Sequence, residues 1–114
     1  MAQILTRVSI CTKPCVYILL CDNGSYYVGS TTNLRLRLQE HEEGLGSDHT
    51  KGHHPIELVY TEEYETPREA HLRERQLHKW SHAKKQALIN GDIDRLRELS
   101  KSTRPELAEG RSKP

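Results

Sequence analysis

Two short apolar segments joined by a turn constrain the fold of this chain more than any other feature. Cys15–Cys21 reads CVYILLC, a run of branched, aliphatic and aromatic residues that favours a β-strand. The sequence DNGS begins at Asp22, and its residues tolerate the positive backbone φ of a tight turn. The segment SYYVG, which ends at Gly29, reads as the returning strand. We therefore predict a β-hairpin around which the other elements must pack.

One further strand and four helices are predicted after the hairpin. They are a helix from Leu34, a strand over Ile56–Thr61, and helices that start near Pro67, Ser81 and Asp92, the last of them ending at Ser100. Asn33 and Thr66 are suited to cap helices, because their side-chain oxygens accept an otherwise unpaired backbone N–H. Glu69 completes a capping box with Thr66. The order ββαβααα predicts an α+β fold with a small three-stranded, mostly antiparallel sheet flanked by helices.

Length and composition indicate a single folded domain. A chain of 114 residues is in the range of one domain. Residues 1–13 are expected to form an N-terminal extension, and residues 14–100 the folded domain. The segment 101–114 reads KSTRPELAEGRSKP, which offers almost nothing to a core, so we expect a disordered tail.

Charge and cysteine content narrow the classes of function. The net charge is +1 and the pI is near 7.8, whereas a typical nucleic-acid-binding domain has a pI above about 9. Basic residues nevertheless outnumber acidic ones between Arg68 and Lys85, a distribution that can attract phosphate. Three cysteines without a repeated CxxC indicate reduced thiols. No long apolar segment is present, so we expect a cytoplasmic protein that does not enter a membrane.

Five polar residues stand at informative positions along the predicted elements. They are Tyr17, Tyr27, Arg37, His41 and Glu74. The two tyrosines belong to the paired strands of the hairpin. Arg37 and His41 are four residues apart, which places them on one face of a helix. Glu74 lies on a later helix, where its spacing also suits an ion pair with His78 one turn away.

In this combination the residues resemble the GIY-YIG nuclease superfamily. The first motif, G-I-Y, corresponds to Cys15-Val16-Tyr17, and the second, Y-I-G, to Tyr27-Val28-Gly29. Tyr27 and Arg37 keep the ten-residue spacing of the family. The resemblance covers about residues 14 to 90 and is strongest for compact standalone members, whose Lys-x-x-S-x-x-K-K-like stretch corresponds to Lys79–Lys85.

Three positions depart from the family pattern or match it weakly. Cys15 replaces the glycine of the first motif. Ser30 follows Gly29, where the excision-repair enzyme of the family has a lysine that contacts phosphate. Many relatives place an asparagine after the glutamate helix, and Asn90 is a weak candidate because its spacing from Glu74 is not distinctive.

The resemblance implies a role for each of the five polar residues. Glu74 would bind one divalent metal ion, with Mg²⁺ expected and Mn²⁺ as a substitute. Arg37 would contact the scissile phosphate. Tyr17, Tyr27 and His41 would surround the attacking water, and the sequence leaves open which of them is the general base.

The expected function is that of a metal-dependent DNA endonuclease. No sequence-reading element is appended, so specificity for DNA structure or for single strands is expected rather than sequence recognition. The predicted contacts with nucleic acid are Arg35, Arg73, Lys79, Lys84 and Lys85. Two alternatives stay open: a non-catalytic nucleic-acid-binding module with the same fold, and a protein that becomes active only in a larger DNA repair complex.

Overall fold

The computed structural model describes residues 4–44 and 53–102 of the chain. It has two compact units, one that extends to Lys79 and one that starts at Trp80. Within the described residues the first unit contains β1 (Leu5–Thr6), β2 (Cys15–Cys21), β3 (Tyr26–Thr31), α1 (Leu34–Glu42), β4 (Pro55–Glu63) and α2 (Pro67–His78). The second unit contains α3 (His82–Asn90) and α4 (Ile93–Ser102). The predicted α+β class is confirmed.

The sheet of the first unit is mixed and has four strands in the described residues, in the order β1-β4-β2-β3. β2 is antiparallel to both of its neighbours, whereas β1 pairs with β4 in parallel. The prediction of three strands in the order ββαβααα is therefore wrong in one element, since β1 lies in the segment predicted as an extension. Leu5 and Thr6 are both exposed, and Arg7 donates its backbone N–H to the carbonyl of Leu58 at 3.0 Å. This two-residue strand exists because it pairs with β4, and no local sequence pattern predicts it.

The predicted hairpin is confirmed, with its second strand extended to Thr31. The chain reverses at Gly24, whose φ of +85° suits glycine. The Cys21 backbone N–H donates to the Ser25 carbonyl at 2.9 Å, and the Gly24 N–H donates to the Cys21 carbonyl at 2.9 Å. The Asn23 side chain accepts from both the backbone and the hydroxyl of Ser25, at 3.1 and 2.7 Å. The turn residues therefore satisfy one another's hydrogen-bonding groups, as expected for the sequence DNGS.

β2 is uniformly apolar because both faces of the sheet are covered at this strand. Successive side chains of a strand point to opposite faces. Cys15, Tyr17 and Leu19 share a buried cluster with Leu34 and Leu38 of α1. The intervening residues of β2 are buried as well, on the face where α2 packs against β2 and β3. A strand covered on both faces loses the alternation of apolar and polar residues.

The predicted helix caps form as expected. The Asn33 side chain accepts the backbone N–H of Leu36 at 3.1 Å at the start of α1. At the start of α2, the Glu69 N–H donates to the Thr66 hydroxyl at 3.2 Å and the Thr66 N–H donates to the Glu69 carboxylate at 3.1 Å. Each bond satisfies a backbone group that the helix itself leaves unpaired.

In the second unit α3 packs against α4. α3 is capped by Ser81 at its start and by Gly91, which has a φ of +69°, after its last residue. α4 continues to Ser102, two residues beyond its predicted end and into the predicted tail. The rest of the predicted tail, residues 103–114, lies outside the described residues. Among the helices that are described, none has the length and apolar content needed to cross a membrane.

The backbone of Gly29 lies against the ring of Tyr17, and this contact requires glycine at position 29. In the β2–β3 register Gly29 is opposite Tyr17, so the two residues face the same side. A Cβ atom at Gly29 would lie 2.5 Å from the Tyr17 hydroxyl oxygen and 2.6 Å from Cζ. The end of the Tyr17 ring therefore occupies the space that a side chain at position 29 would need.

We expect Gly29→Ala to lower the free energy of unfolding by about 1–3 kcal/mol, as for overpacked cores. The Tyr17 side chain is fully buried, so its ring cannot move aside without disturbing the core. Urea denaturation measures the cost, first in the wild-type background and then in a Tyr17→Leu background. Gly29→Ala should lower the free energy of unfolding clearly less in the Tyr17→Leu background, because leucine is shorter than tyrosine. An equal loss in both backgrounds would contradict the contact between Tyr17 and position 29.

Candidate active site

Tyr17, Tyr27 and His41 form a cluster of aromatic polar side chains. The hydroxyl of Tyr17 lies 3.0 Å from Nε2 of His41 in a buried hydrogen bond. The ring centroids are 6.2 Å apart for the two tyrosines, 5.9 Å for Tyr17 and His41, and 5.3 Å for Tyr27 and His41. The three predicted residues are therefore in mutual ring contact, with edge or tilted geometry typical of aromatic packing.

Sheet register and helix packing together assemble this cluster. Tyr27 is opposite Leu19 and Gly29 is opposite Tyr17, so both tyrosines point to the face covered by α1. The buried leucines of α1 pack against this face. His41 lies in the last turn of α1, and only 3% of its surface is exposed. The empty Cβ position of Gly29 lets the Tyr17 ring extend over β3. Its hydroxyl therefore reaches from the central strand to the neighbouring strand.

Arg37 adds a fixed positive charge to the cluster. Its Nη1 donates to the Glu40 carboxylate at 2.9 Å, and its charge acts on the neighbouring side chains of Tyr17 and Tyr27. Burial works against the charge, but these partners outweigh it and raise the pKa of Arg37 above its ordinary value. The side chain keeps 27% of its surface exposed. A charged donor fork thus borders solvent beside both tyrosine hydroxyls.

The hydrogen-bonded pair inside the cluster is neutral on both sides at pH 7. Burial, followed by the positive charge of Arg37, lowers the pKa of His41 to about 4. Burial also raises the pKa of Tyr17, aided by the neighbouring Tyr27 and opposed by Arg37. A single hydrogen is therefore shared between the phenol oxygen and Nε2, and the imidazole tautomer decides which atom donates.

Glu74 of α2 is tied to β3 by a serine. The Ser30 hydroxyl donates to Oε1 of Glu74 at 2.5 Å, and Oε2 of Glu74 lies 3.0 Å from Nε2 of His78. His71 approaches from the preceding turn, with Nδ1 at 3.5 Å from Oε1. The predicted pairing with His78 is confirmed. In the sequence, Ser30 stands out only because it replaces a lysine of the family pattern. Its hydrogen bond to Glu74 joins two separate elements, and no local sequence pattern indicates it.

The predicted site residues lie on both sides of the sheet, next to β3. Ser30 follows Gly29 along β3, so it points to the opposite face, which α2 covers. Four of the five residues thus meet on the α1 face, and Glu74 stands on the α2 face beside the same strand. Among the described strands β3 is the outer one on this side of the sheet. Both groups of residues therefore lie next to the outer described strand.

Glu74 and Glu62 differ in their capacity to hold a cation. Glu62 accepts from Nε and Nη2 of Arg73 at 2.9 and 3.1 Å, and also from Tyr60 and Tyr64, so its oxygens are fully engaged. The Glu74 side chain is 19% exposed, and its neighbours leave lone pairs on both oxygens. One such carboxylate fits a divalent ion that keeps most of its waters. No group of three or more potential metal ligands occurs in the described part of the chain.

Arg73 stands apart from the other predicted nucleic-acid contacts. Besides its two bonds to Glu62, it donates through Nη1 to Gln76 at 2.6 Å. This bidentate pair joins α2 to β4, which favours a structural role. A nucleic-acid contact by Arg73 stays a prediction, and phosphate would have to compete with the carboxylate.

The other predicted contacts are distributed over both units. Arg35 is exposed on α1, and Lys79 is exposed at the C-cap of α2. In the second unit, Nζ of Lys84 lies 4.2 Å from the ring centroid of Trp80, and burial lowers the pKa of Lys85. Asn90 ends α3 and is exposed. Binding by these residues stays a prediction.

Comparison with known proteins identifies similar chains. The family described as the GIY-YIG catalytic domain matches residues 13–87. A UPF0213 protein of Natronomonas pharaonis is 40% identical over 74 residues, which cover 65% of this chain and 87% of that protein. One from Clostridium perfringens is 43% identical over 75 residues, covering 66% and 81%. The solution structure of a UPF0213 protein from Bacillus halodurans has 34% identity and a TM-score of 0.45, and covers 76% of this chain and 96% of that one.

The depressed pKa of His41 makes a prediction about stability and pH. The unfolded chain protonates this imidazole near its ordinary pKa of 6.5, whereas the folded chain does so only near 4. Because the unfolded state binds the extra proton in this window, the free energy of unfolding should fall as the pH falls through it. The difference between the two pKa values corresponds to on the order of 3 kcal/mol at most.

Urea denaturation between about pH 7 and about pH 5 measures this dependence in the wild type and in His41→Gln. The slope should be shallower in the variant, which lacks the group, while the remaining histidines contribute to both proteins. Parallel pH profiles, or an NMR titration that places the pKa of His41 near 6.5, would contradict the assigned burial and charge effects.

Proposed function

The chain belongs to the GIY-YIG family, and on this basis we propose that it is a metal-dependent endonuclease that hydrolyses phosphodiester bonds in DNA. The family points to a nuclease-type hydrolase and to a nucleic-acid substrate. The observation that carries the proposal is the buried Tyr17–His41 hydrogen bond beside the charged Arg37. This combination offers a proton path and an anion contact at one place, as phosphodiester hydrolysis requires.

Arg37 is the residue that receives the scissile phosphate in this proposal. Its guanidinium is half-buried and held by Glu40, so part of its side-chain freedom is already lost before an anion binds. A donor fork of this kind can contact two phosphate oxygens at once. In this proposal the chain of nucleotides passes along β3, the outer one of the described strands on this side of the sheet.

Tyr17 and His41 move the proton of the attacking water. Tyr17 is fully buried in the free protein, so DNA binding must first open a path for the water to its oxygen. The water then gives its proton to the Tyr17 oxygen while the phenolic hydrogen passes to Nε2 of His41, so the tyrosine is neutral before and after the step. The hydroxide attacks phosphorus, and the bond to the 3′ oxygen breaks. The 3′ oxygen takes a proton from solvent water, and His41 gives its extra proton back to solvent. Tyr27 lies against both partners and orients the water from the side.

Binding of the substrate strengthens His41 as a proton acceptor. The charge of Arg37 is one cause of the low pKa of His41. A phosphodiester anion on Arg37 offsets that charge and adds a negative charge nearby, and both changes favour the imidazolium. His41 is therefore a weak base in the free protein and a stronger one with DNA in place.

Glu74 is the proposed ligand of the metal ion, Mg²⁺ or Mn²⁺. When bound, the ion would supply Lewis-acid stabilisation of the leaving oxygen. Ser30 fixes one carboxylate oxygen through its hydroxyl, so the carboxylate is already oriented before an ion arrives. A positioned outer partner of this type raises metal affinity in other sites.

The proposed substrate is DNA that is single-stranded or has an unusual structure. The net charge of +1 provides little attraction for a long duplex. In this proposal a single strand runs along β3, the outer one of the described strands, beside Tyr27. Action within the cytoplasm, alone or recruited to a DNA repair complex, belongs to the same proposal.

The proposal predicts cutting that depends on both metal and Glu74. Labelled single-stranded, duplex and branched DNA are incubated with the protein in Mg²⁺, in Mn²⁺ and in EDTA. The wild type should cut in either metal and not in EDTA. Glu74→Gln should cut at least about a hundredfold more slowly, because it removes the only assigned protein charge on the ion.

Glu65→Gln is the matched control for this test. Glu65 is an exposed glutamate whose side chain pairs with Lys13 at 2.7 Å, remote from the cluster in its contacts. This variant should cut like the wild type. DNA binding without cutting in any metal would overturn the proposal and favour a non-catalytic binding module.

A further inference from the structure

We propose that His78 is a direct ligand of the metal ion together with Glu74, and that this pair makes the site prefer Mn²⁺ to Mg²⁺. The inference rests on the proposed metal role of Glu74 and adds a nitrogen ligand to it. Both residues lie on α2, four residues apart, so they share one helix face. Residues at this helical spacing can bind a single ion, as paired histidines do in helical zinc sites.

The distance between the two donor atoms suits neighbouring positions around one ion. Nε2 of His78 lies 3.0 Å from Oε2 of Glu74. Metal–ligand bonds of about 2.1 Å at right angles place two donors about 3.0 Å apart. The pair can therefore accept an ion once the shared hydrogen is lost and the imidazole turns its Nε2 lone pair from the carboxylate toward the ion.

Ser30 determines which carboxylate oxygen faces the histidine. Its hydroxyl holds Oε1 at 2.5 Å, so Oε2 is the oxygen directed toward His78. The Glu74 side chain is 19% exposed and the His78 side chain 49% exposed. The carboxylate is thus held by the fold, while the imidazole borders solvent through which a hydrated ion can enter.

The mixed donor set decides which ion is preferred. Mg²⁺ favours oxygen ligands in a strict octahedron and loses water reluctantly. Imidazole nitrogen binds the first-row transition ions better, and Mn²⁺ accepts both nitrogen and oxygen donors. A carboxylate alone would leave Mg²⁺ and Mn²⁺ nearly equivalent, so the histidine is the source of discrimination.

An exposed helical ion pair is the competing explanation for the same distance. Such a pair contributes little to stability and would leave metal binding to Glu74 alone. The two explanations differ in one property, which is the presence of a nitrogen atom in the first coordination sphere of the bound ion. That property is measurable without any DNA.

His71 provides a matched control on the same helix. Its Nδ1 lies 3.5 Å from Oε1, the oxygen that Ser30 already occupies, and its side chain is 61% exposed. His71→Ala and His78→Ala remove the same chemical group from exposed positions of α2, and alanine favours the helix. Circular dichroism verifies that both variants are folded.

Pulsed electron paramagnetic resonance of Mn²⁺ bound to the full chain tests the inference. The wild type should show a nitrogen coupling from a directly bound imidazole, His71→Ala should keep it, and His78→Ala should lose it. Calorimetry should show Mn²⁺ affinity reduced at least about tenfold in His78→Ala, with Mg²⁺ affinity changed less than about twofold. Glu74→Gln should weaken the binding of both ions.

The possible outcomes separate this inference from the proposed nuclease activity. If the Mn²⁺ signal shows a nitrogen coupling that depends on His78 but the protein cuts no DNA, the metal site is supported and the proposed nuclease activity is overturned. Metal-dependent cutting with no nitrogen coupling leaves the nuclease and overturns the histidine ligand. Coupling that is lost in His71→Ala but kept in His78→Ala, or absence of Mn²⁺ binding, overturns the inference as well.

Discussion

The passage of the Tyr17 ring over Gly29 is the contact on which the rest of the site depends. Tyr17 stems from the central strand and is completely buried, yet its hydroxyl reaches the neighbouring outer strand because position 29 has no side chain. The antiparallel register sets the two residues opposite each other. α1 then closes over the ring and brings His41 to the hydroxyl. A functional group carried by the core is thereby delivered to the edge of the sheet.

Burial has a cost that the cluster itself offsets. A phenol and an imidazole removed from water each lose hydrogen bonds, and an unpaired group would cost about 1–3 kcal/mol. Tyr17 and His41 are hydrogen-bonded to each other, and the positive charge of Arg37 acts on this pair while its own side chain remains partly exposed. The same burial keeps His41 unprotonated at neutral pH. The stability of the cluster and the neutral state of His41 therefore depend on the same arrangement, a neutral hydrogen-bonded pair next to a fixed positive charge.

Local sequence signals predicted the hairpin, the two helix caps and the membership in the GIY-YIG family, since each depends on residues close together in the chain. Tyr17, Tyr27, Arg37 and His41 were predicted from motif spacing, and the structure brings them into contact. β1 was missed because backbone pairing with a distant strand creates it. The Ser30–Glu74 bond and the engagement of Arg73 by Glu62 were likewise beyond local patterns, because each joins separate elements. The spacing of motif residues along the chain identifies candidate site residues. The packing of the elements determines which of their hydrogen-bond donors remain available to a substrate.

The most direct test of the tyrosine–histidine cluster is the single-turnover cutting rate of Tyr17→Phe with saturating protein. This substitution keeps the ring in the core and removes only the hydroxyl that contacts His41. We predict a rate at least about a hundredfold below that of the wild type, with DNA affinity changed by less than about threefold, as expected when a proton-transfer group is lost. A Tyr17→Phe rate equal to the wild-type rate would show that the buried hydroxyl takes no part in the chemistry.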